Sequence, residues 1–216
     1  MVIGILGGTG DLGNGLALRL ANAGHTVLLG SRAVERAEAA VAALRPVLES
    51  HGVATDRLVP AGNDAVARDA ELLFLTAPAS GVEDLVASLA PDLAGKLLVD
   101  CTVDVPTARE PGFRGTALRL QERLGDLTTV VGGFHTVAAN KLLELPTTPE
   151  GDVLVVGDDA DAKRRVLELI AAMGMRGFDA GRLADGATLE RLTIMLIGMN
   201  RRYKRKAIGV RLSGVS

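Results

Sequence analysis

A short apolar run, Val2 to Leu6, stops abruptly at Gly7-Gly8-Thr9-Gly10-Asp11-Leu12-Gly13, and a helical repeat of Leu12, Leu16 and Leu20 begins at once. Strand, glycine-rich turn and helix in that order describe a βα unit whose turn must bring backbone close to backbone. The spacing Gly8-x-Gly10-x-x-Gly13 sharpens this to a dinucleotide-binding turn. Gly8 permits the tight turn, Gly10 lets a pyrophosphate reach the backbone, and Gly13 lets the helix pack on the strand. Gly7 and Thr9 add flexibility and a hydroxyl, and the N–H groups at the helix start hold the phosphates.

Further apolar runs at Thr26 to Leu29, Leu72 to Thr76, Leu97 to Cys101 and Thr129 to Val131 alternate with helical or polar stretches. This is the rhythm of parallel βαβ units, and it predicts an α/β fold: a Rossmann-like, doubly wound parallel sheet. Ala37, Ala40, Val41 and Leu44 trace a helix that Pro46 is expected to end or kink. After Val131 the pattern changes to a strand at Val153 to Val156 and helices at Asp161 to Met173 and Ala187 to Met199. A boundary near Phe134 divides a nucleotide-binding domain, 1–133, from a small C-terminal α/β domain, 134–216, for substrate binding and dimerisation. The last helix has Leu189, Leu192, Met195, Leu196 and Met199 on one face and Ile194 and Ile197 on another, so both sides want burial. A dimer interface and an interior helix satisfy that equally well.

An NAD-binding turn carries an acidic residue about twenty positions on, at the end of the second strand, to bind the ribose 2′-hydroxyl. Here that place reads Gly30-Ser31-Arg32, with Arg36 one helical turn later. Loss of the acid and gain of two cations describe a clamp for the 2′-phosphate of NADP(H). Ser31 is also a candidate N-cap for the following helix. The alternative is that Ser31 only caps and Arg36 pairs with Glu35 or Glu38. Thr76, Ala77 and Pro78 follow a strand at the carboxyl edge of the sheet, where they line the cofactor or simply end the strand.

Composition removes several partners. Of the 216 residues 2% are aromatic and the net charge is -2, a poor basis for nucleic-acid binding. Cys101 stands alone, which leaves no internal disulfide and no Cys/His metal cluster and suits a reducing cytoplasm. Met1 to Leu6 lacks a basic leader, and no apolar stretch reaches membrane-spanning length.

The run Leu6 to Leu20, followed by Gly30-Ser31-Arg32, resembles the NADPH-dependent reductases of the deazaflavin coenzyme F420. Phe134-His135-Thr136-Val137-Ala138-Ala139 is similar to that family's His-Thr segment, and Gly157-Asp158-Asp159 and Asp179-Ala180-Gly181 to its C-terminal half, so the likeness covers the whole chain. It implies a homodimer that moves hydride between NADP(H) and the deazaflavin. Thr9, Gly10, Asp11, Leu12, Ser31, Arg32 and Arg36 would surround the NADP, with Ala139 beside the nicotinamide. The deazaflavin would enter near His135, Thr136, Val137 and the end of the last helix. Two positions depart: Arg36 stands where a lysine is common, and Ala138 where some members carry proline.

Hydride transfer between two rings is mainly a positioning task, so no essential acid or base is expected. His135 is the best polar candidate, either bonded to the deazaflavin or satisfied by nearby backbone. Arg201, Arg202, Lys204, Arg205, Lys206 and Arg211 form a basic end that either attracts an anionic substrate tail or complements a helix dipole. Reduction of a flavin or ferric chelate, and a non-catalytic NADP(H) sensor, stay open as alternatives.

Overall fold

The computed structural model describes residues 1–215. Six parallel strands form the main sheet: β1 (Val2–Leu6), β2 (Thr26–Ser31), β3 (Leu58–Gly62), β4 (Leu72–Leu75), β5 (Leu97–Asp100) and β6 (Thr129–Gly132). Their order, β3-β2-β1-β4-β5-β6, is that of a Rossmann dinucleotide-binding sheet. The chain reverses its winding between β1 and β4, and the carboxyl ends of those strands flank the crevice where ligands of open α/β sheets sit. All-parallel pairing buries both faces, which is why β4 and β5 read as unbroken apolar runs.

Helices α1 (Asp11–Asn22) and α2 (Val34–Ser50) cover one face, while α3 (Asn63–Asp69), α4 (Val82–Leu93) and α5 (Thr116–Leu124) cover the other. Beyond β6 come a short helix α6 (Ala139–Leu142), the strands β7 (Val153–Val155) and β8 (Gly177–Asp179) paired in parallel, and α7 (Ala160–Ala172) between them. Phe134, Leu142, Val153, Val155, Val166 and Ile170 join Ile3, Leu16, Phe74 and Val99 in one continuous core. The apolar packing therefore runs through the position where the sequence pattern changes.

Several expectations need correction. The second helix does not end at Pro46 but continues to Ser50, because Leu44 and Leu48 on either side of the proline both stay buried against the sheet. Ser31 closes β2 and is not an N-cap; Ala33 takes that position without a side-chain bond, and the Ser31 hydroxyl accepts the Ala33 N–H at 3.3 Å. Within the glycine turn Gly7 takes the left-handed conformation, at φ +65°. Gly8 is needed instead because a Cβ there would sit 2.6 Å from Leu29 and 2.9 Å from Ile5.

The last helix, α8 (Gly186–Arg202), is not an interior helix within the single chain: Leu189 and Leu196 are buried, but Met195 is 55% and Ile197 37% exposed. Its anchor is Glu190, 1% exposed, which accepts the Asp104 N–H at 2.9 Å, the Thr116 N–H at 2.6 Å and the Thr116 hydroxyl at 3.1 Å. Thr116 is the first residue of α5, so the carboxylate satisfies orphan donors at a helix N-terminus. Burial pushes the Glu190 carboxyl above its usual range, and the two backbone donors oppose that shift.

Glu190→Ala strands those donors away from water. The variant is expected to lose on the order of 2–3 kcal/mol of stability, seen as a lower urea midpoint at unchanged slope. A change within about 0.5 kcal/mol, the range of ordinary surface substitutions, contradicts the anchoring role.

Candidate active site

The glycine turn is built by spending some backbone donors and sparing others. The Gly7 N–H donates to the Asn63 side-chain carbonyl at 3.1 Å and the Gly8 N–H to the Gly30 carbonyl at 2.8 Å. Thr76 closes the other side, its hydroxyl 3.3 Å from the carbonyls of both Leu6 and Gly7, and Ala77 packs so closely that a Cβ on Gly7 would lie 2.7 Å from its own. Thr76 and Ala77 thus brace the turn, with Pro78 leading into the next short helical turn.

Past this braced segment, the N–H groups of Thr9, Gly10, Asp11 and Leu12 have no backbone partner among the described residues, and Gly10 at the N-cap contributes no capping side chain. A Cβ at Gly10 would meet nothing within 4 Å, whereas one at Gly13 would be built onto the Gly8 carbonyl. Open space at Gly10 beside unspent donors is the cradle that a pyrophosphate fits. Asn14 adds a buried side-chain oxygen without a partner, and Asn63 a buried amide nitrogen without one. Asn63 escaped the sequence reading because the strand before it was not recognised.

Ser31, Arg32 and Arg36 lie together where β2 passes into α2. Gly30 cannot be larger, since a Cβ would sit 2.6 Å from the Asn63 oxygen and 2.8 Å from the Ile5 carbonyl. Among the described residues neither arginine makes an ion pair or a side-chain hydrogen bond, so the Glu35 and Glu38 alternative finds no support. Two solvent-facing cations flanking a helix N-terminus oppose the helix dipole, and a bound dianion removes that conflict.

One cleft of about 430 Å³ joins the two ends of the site: Asp11 of the turn, the segment His135 to Asn140, Thr193, Leu196, Ile197 and Asn200 of α8, and Lys206 and Ile208 of the tail. The chain reaches it through Phe134, held at φ +65°, a strained angle for an aromatic residue, by edge-to-face packing on Phe74 at 5.7 Å. His135 lines the cleft, but its ring is buried and points inward, with Nε2 4.0 Å from an Asp100 carboxylate oxygen. Among the described residues neither ring nitrogen has a hydrogen-bond partner, so the ring is bonded neither to backbone nor toward the cleft. The His135 carbonyl instead accepts the Thr193 hydroxyl at 2.8 Å. Thr136 is buried with an unpartnered hydroxyl, Val137 packs on the core, and Ala139 opens α6 at the cleft wall.

The basic end divides. Arg205 and Lys206 line a hollow beside Asn140, Lys141 and Glu144, and Arg211 lines a second cavity of about 340 Å³ behind Thr136. The tail is tied down where Asp152 donates its N–H to the Val210 carbonyl at 2.7 Å and accepts the Leu212 N–H at 2.6 Å.

The glycines separate fold from function. Gly10→Ala is expected to keep the melting temperature within a few degrees while weakening NADPH, because its methyl enters the cradle and nothing else. Gly13→Ala is expected to lower the melting temperature markedly. Thermal scans with NADPH titration check both, and equal destabilisation by the two variants contradicts the assignment of the cradle.

Comparison with known proteins places the chain in a family. Residues 2–104 match the family described as NADP oxidoreductase, coenzyme F420-dependent. Over the full chain the protein is 32% identical to the F420-dependent NADP reductase of Methanocaldococcus jannaschii and 33% identical to that of Methanothermobacter marburgensis, covering 99% of each. A crystal structure from Arthrobacter sp. FB24, whose proposed activity is F420-dependent NADP reduction, superposes with a TM-score of 0.76 at 25% identity, with 98% of each chain covered. No described helix is long and apolar enough to cross a membrane. The chain belongs to the family of coenzyme F420-dependent NADP oxidoreductases.

Proposed function

We propose that this chain transfers a hydride between NADP(H) and the deazaflavin coenzyme F420. The observation that carries the reading is the single cleft in which Asp11, at the phosphate turn, shares walls with His135 to Asn140 and the end of α8. A nucleotide held at the turn and a second ring held by the other walls would meet there.

The backbone donors of Thr9, Gly10, Asp11 and Leu12 hold the pyrophosphate, and Ser31, Arg32 and Arg36 take the 2′-phosphate. Gly8 and Gly13 keep the turn compact, and Thr76, Ala77 and Pro78 fix its outer edge. Ala139 lies beside the nicotinamide, while Thr136, Val137 and the α8 residues Thr193, Leu196 and Asn200 face the acceptor. When bound, NADPH supplies the hydride and the deazaflavin accepts it. The protein's part is to align the two and exclude water, so no side chain is needed as acid, base or nucleophile. His135 acts through its carbonyl and its inward packing on Asp100, which set the path of the segment that follows.

Flavin or ferric-chelate reduction and a sensor role are less well supported, because the F420-dependent NADP reductases match over 99% of their own length, whereas the metalloreductase of Rattus norvegicus that the chain resembles is matched over 37% of its length. The working form is a homodimer in which the apolar side of α8, with Met195 and Ile197, is covered. A cytoplasmic setting accords with Cys101, a buried free thiol whose burial raises its pKa. Nucleic acid is not a partner, and Arg205 and Lys206 suit an anionic substrate tail instead.

Arg32→Ala is expected to raise the KM for NADPH in F420 reduction by about 10- to 100-fold, the effect of losing a charge-assisted bond to phosphate. The KM for NADH should change little. Equal losses with both nucleotides contradict the clamp.

A further inference from the structure

Arg19 projects from the last turn of α1, the helix whose N-terminus forms the phosphate cradle, yet it is only 3% exposed. Among the described residues no carboxylate forms an ion pair with it. Its guanidinium instead donates to four backbone carbonyls: Nε to Leu142 at 3.0 Å, and Nη2 to Lys141 at 3.1 Å, Glu144 at 2.9 Å and Thr147 at 2.6 Å. These acceptors lie at the C-terminal end of α6 and in the loop beyond it, more than 120 residues away in sequence. Burial lowers the Arg19 pKa, and the Glu144 charge partly opposes this.

A second contact lies one turn earlier on the same helix. Gly15 admits α6 so closely that a Cβ there would be built onto the Leu142 Cβ and would lie 3.3 Å from the Ala139 carbonyl. The segment so fastened supplies walls of the site: Ala139 and Asn140 in the cleft, and Lys141, Glu144 and Thr147 in the cavity behind it. One helix therefore presents the nucleotide cradle at its N-terminus and grips the acceptor-side wall from its middle, at Gly15, to its last turn, at Arg19.

We propose that Arg19 is a positioning residue that fixes the distance between the nucleotide cradle and the acceptor wall, with Gly15 as the close-packed contact beside it. The proposal rests on the hydride-transfer reading for its kinetic consequence but not for its structural one. A fork with donors on two nitrogens can gather carbonyls from a helix end and a loop at once, whereas a lysine is a point donor and an uncharged amide is too short.

The test compares Arg19→Gln, Arg19→Lys and Gly15→Ala in the full-length protein, by amide hydrogen exchange without ligand, by NADPH affinity and by steady-state F420 reduction. Exchange in residues 139–147 is expected to rise at least about tenfold in Arg19→Gln and Gly15→Ala, while the Kd for NADPH stays within about twofold. In the same variants kcat falls and the KM for F420 rises, together about 10- to 100-fold in kcat/KM, with Arg19→Lys intermediate. Unchanged exchange in 139–147 overturns the proposal, as does a loss of NADPH affinity matching the loss of kcat/KM. Should Arg19→Gln not fold, Gly15→Ala, which keeps the arginine, decides by the same readouts. A wild-type protein inert toward F420 would overturn the proposed function alone, since exchange and NADPH affinity report the clamp without any acceptor.

Discussion

Everything in this molecule depends on how closely backbone can approach backbone at the N-terminus of α1. Gly8 lies against the side chains of Ile5 and Leu29, Gly13 against the Gly8 backbone, and Gly30 against the Ile5 carbonyl, so three adjoining segments meet where a Cβ on any of these glycines would collide. That contact places the first turn of the helix over the carboxyl ends of β1 and β4, at the point where the sheet reverses its winding. Because the Gly7 and Gly8 donors are consumed by Asn63 and Gly30, the turn is rigid where it is braced and unsatisfied only where a phosphate would lie. A cradle prepared in this way costs little reorganisation on binding.

The charged residues follow a common rule with opposite outcomes. Arg32 and Arg36 stand in solvent at a helix N-terminus, where the dipole disfavours them and, among the described residues, no carboxylate forms an ion pair with either. Such an arrangement gains nothing for the apo fold and makes sense through a dianionic ligand. Arg19 is the reverse case: a buried cation that, among the described residues, no ion pair satisfies but four carbonyls do, so its charge serves the protein's own frame. Glu190 is the acidic counterpart, a buried carboxylate held by donors from the α5 terminus and the loop at Asp104. Between them these two residues fasten α6 and α8, the elements that complete the cleft.

Much of this was legible in the residues. Apolar runs broken by glycines gave away β1, β2, β4, β5 and β6, and the spacing of Gly8, Gly10 and Gly13 marked the cradle, because period and turn chemistry are local properties. β3 was not legible: Leu58-Val59-Pro60-Ala61-Gly62 has neither alternation nor a long apolar run, and its proline is tolerated only because the strand lies at the sheet edge. With it went Asn63, whose value lies in a hydrogen bond across 56 residues. The inward turn of the His135 ring, the exposure of Met195 and Ile197, and the four carbonyls gathered by Arg19 likewise depend on contacts distant in sequence, which no local pattern encodes. Pro46 does not end its helix for the opposite reason: its local cost was outweighed by burial of Leu44 and Leu48 on either side.

The most direct test of the account mixes the purified protein with NADPH and oxidised coenzyme F420 and follows the visible absorbance of the deazaflavin, with NADH in a parallel cuvette. Rapid bleaching with NADPH and little with NADH is the predicted result. Tight NADPH binding without bleaching would contradict the account, leaving an intact nucleotide cradle in a protein that serves some other acceptor or none.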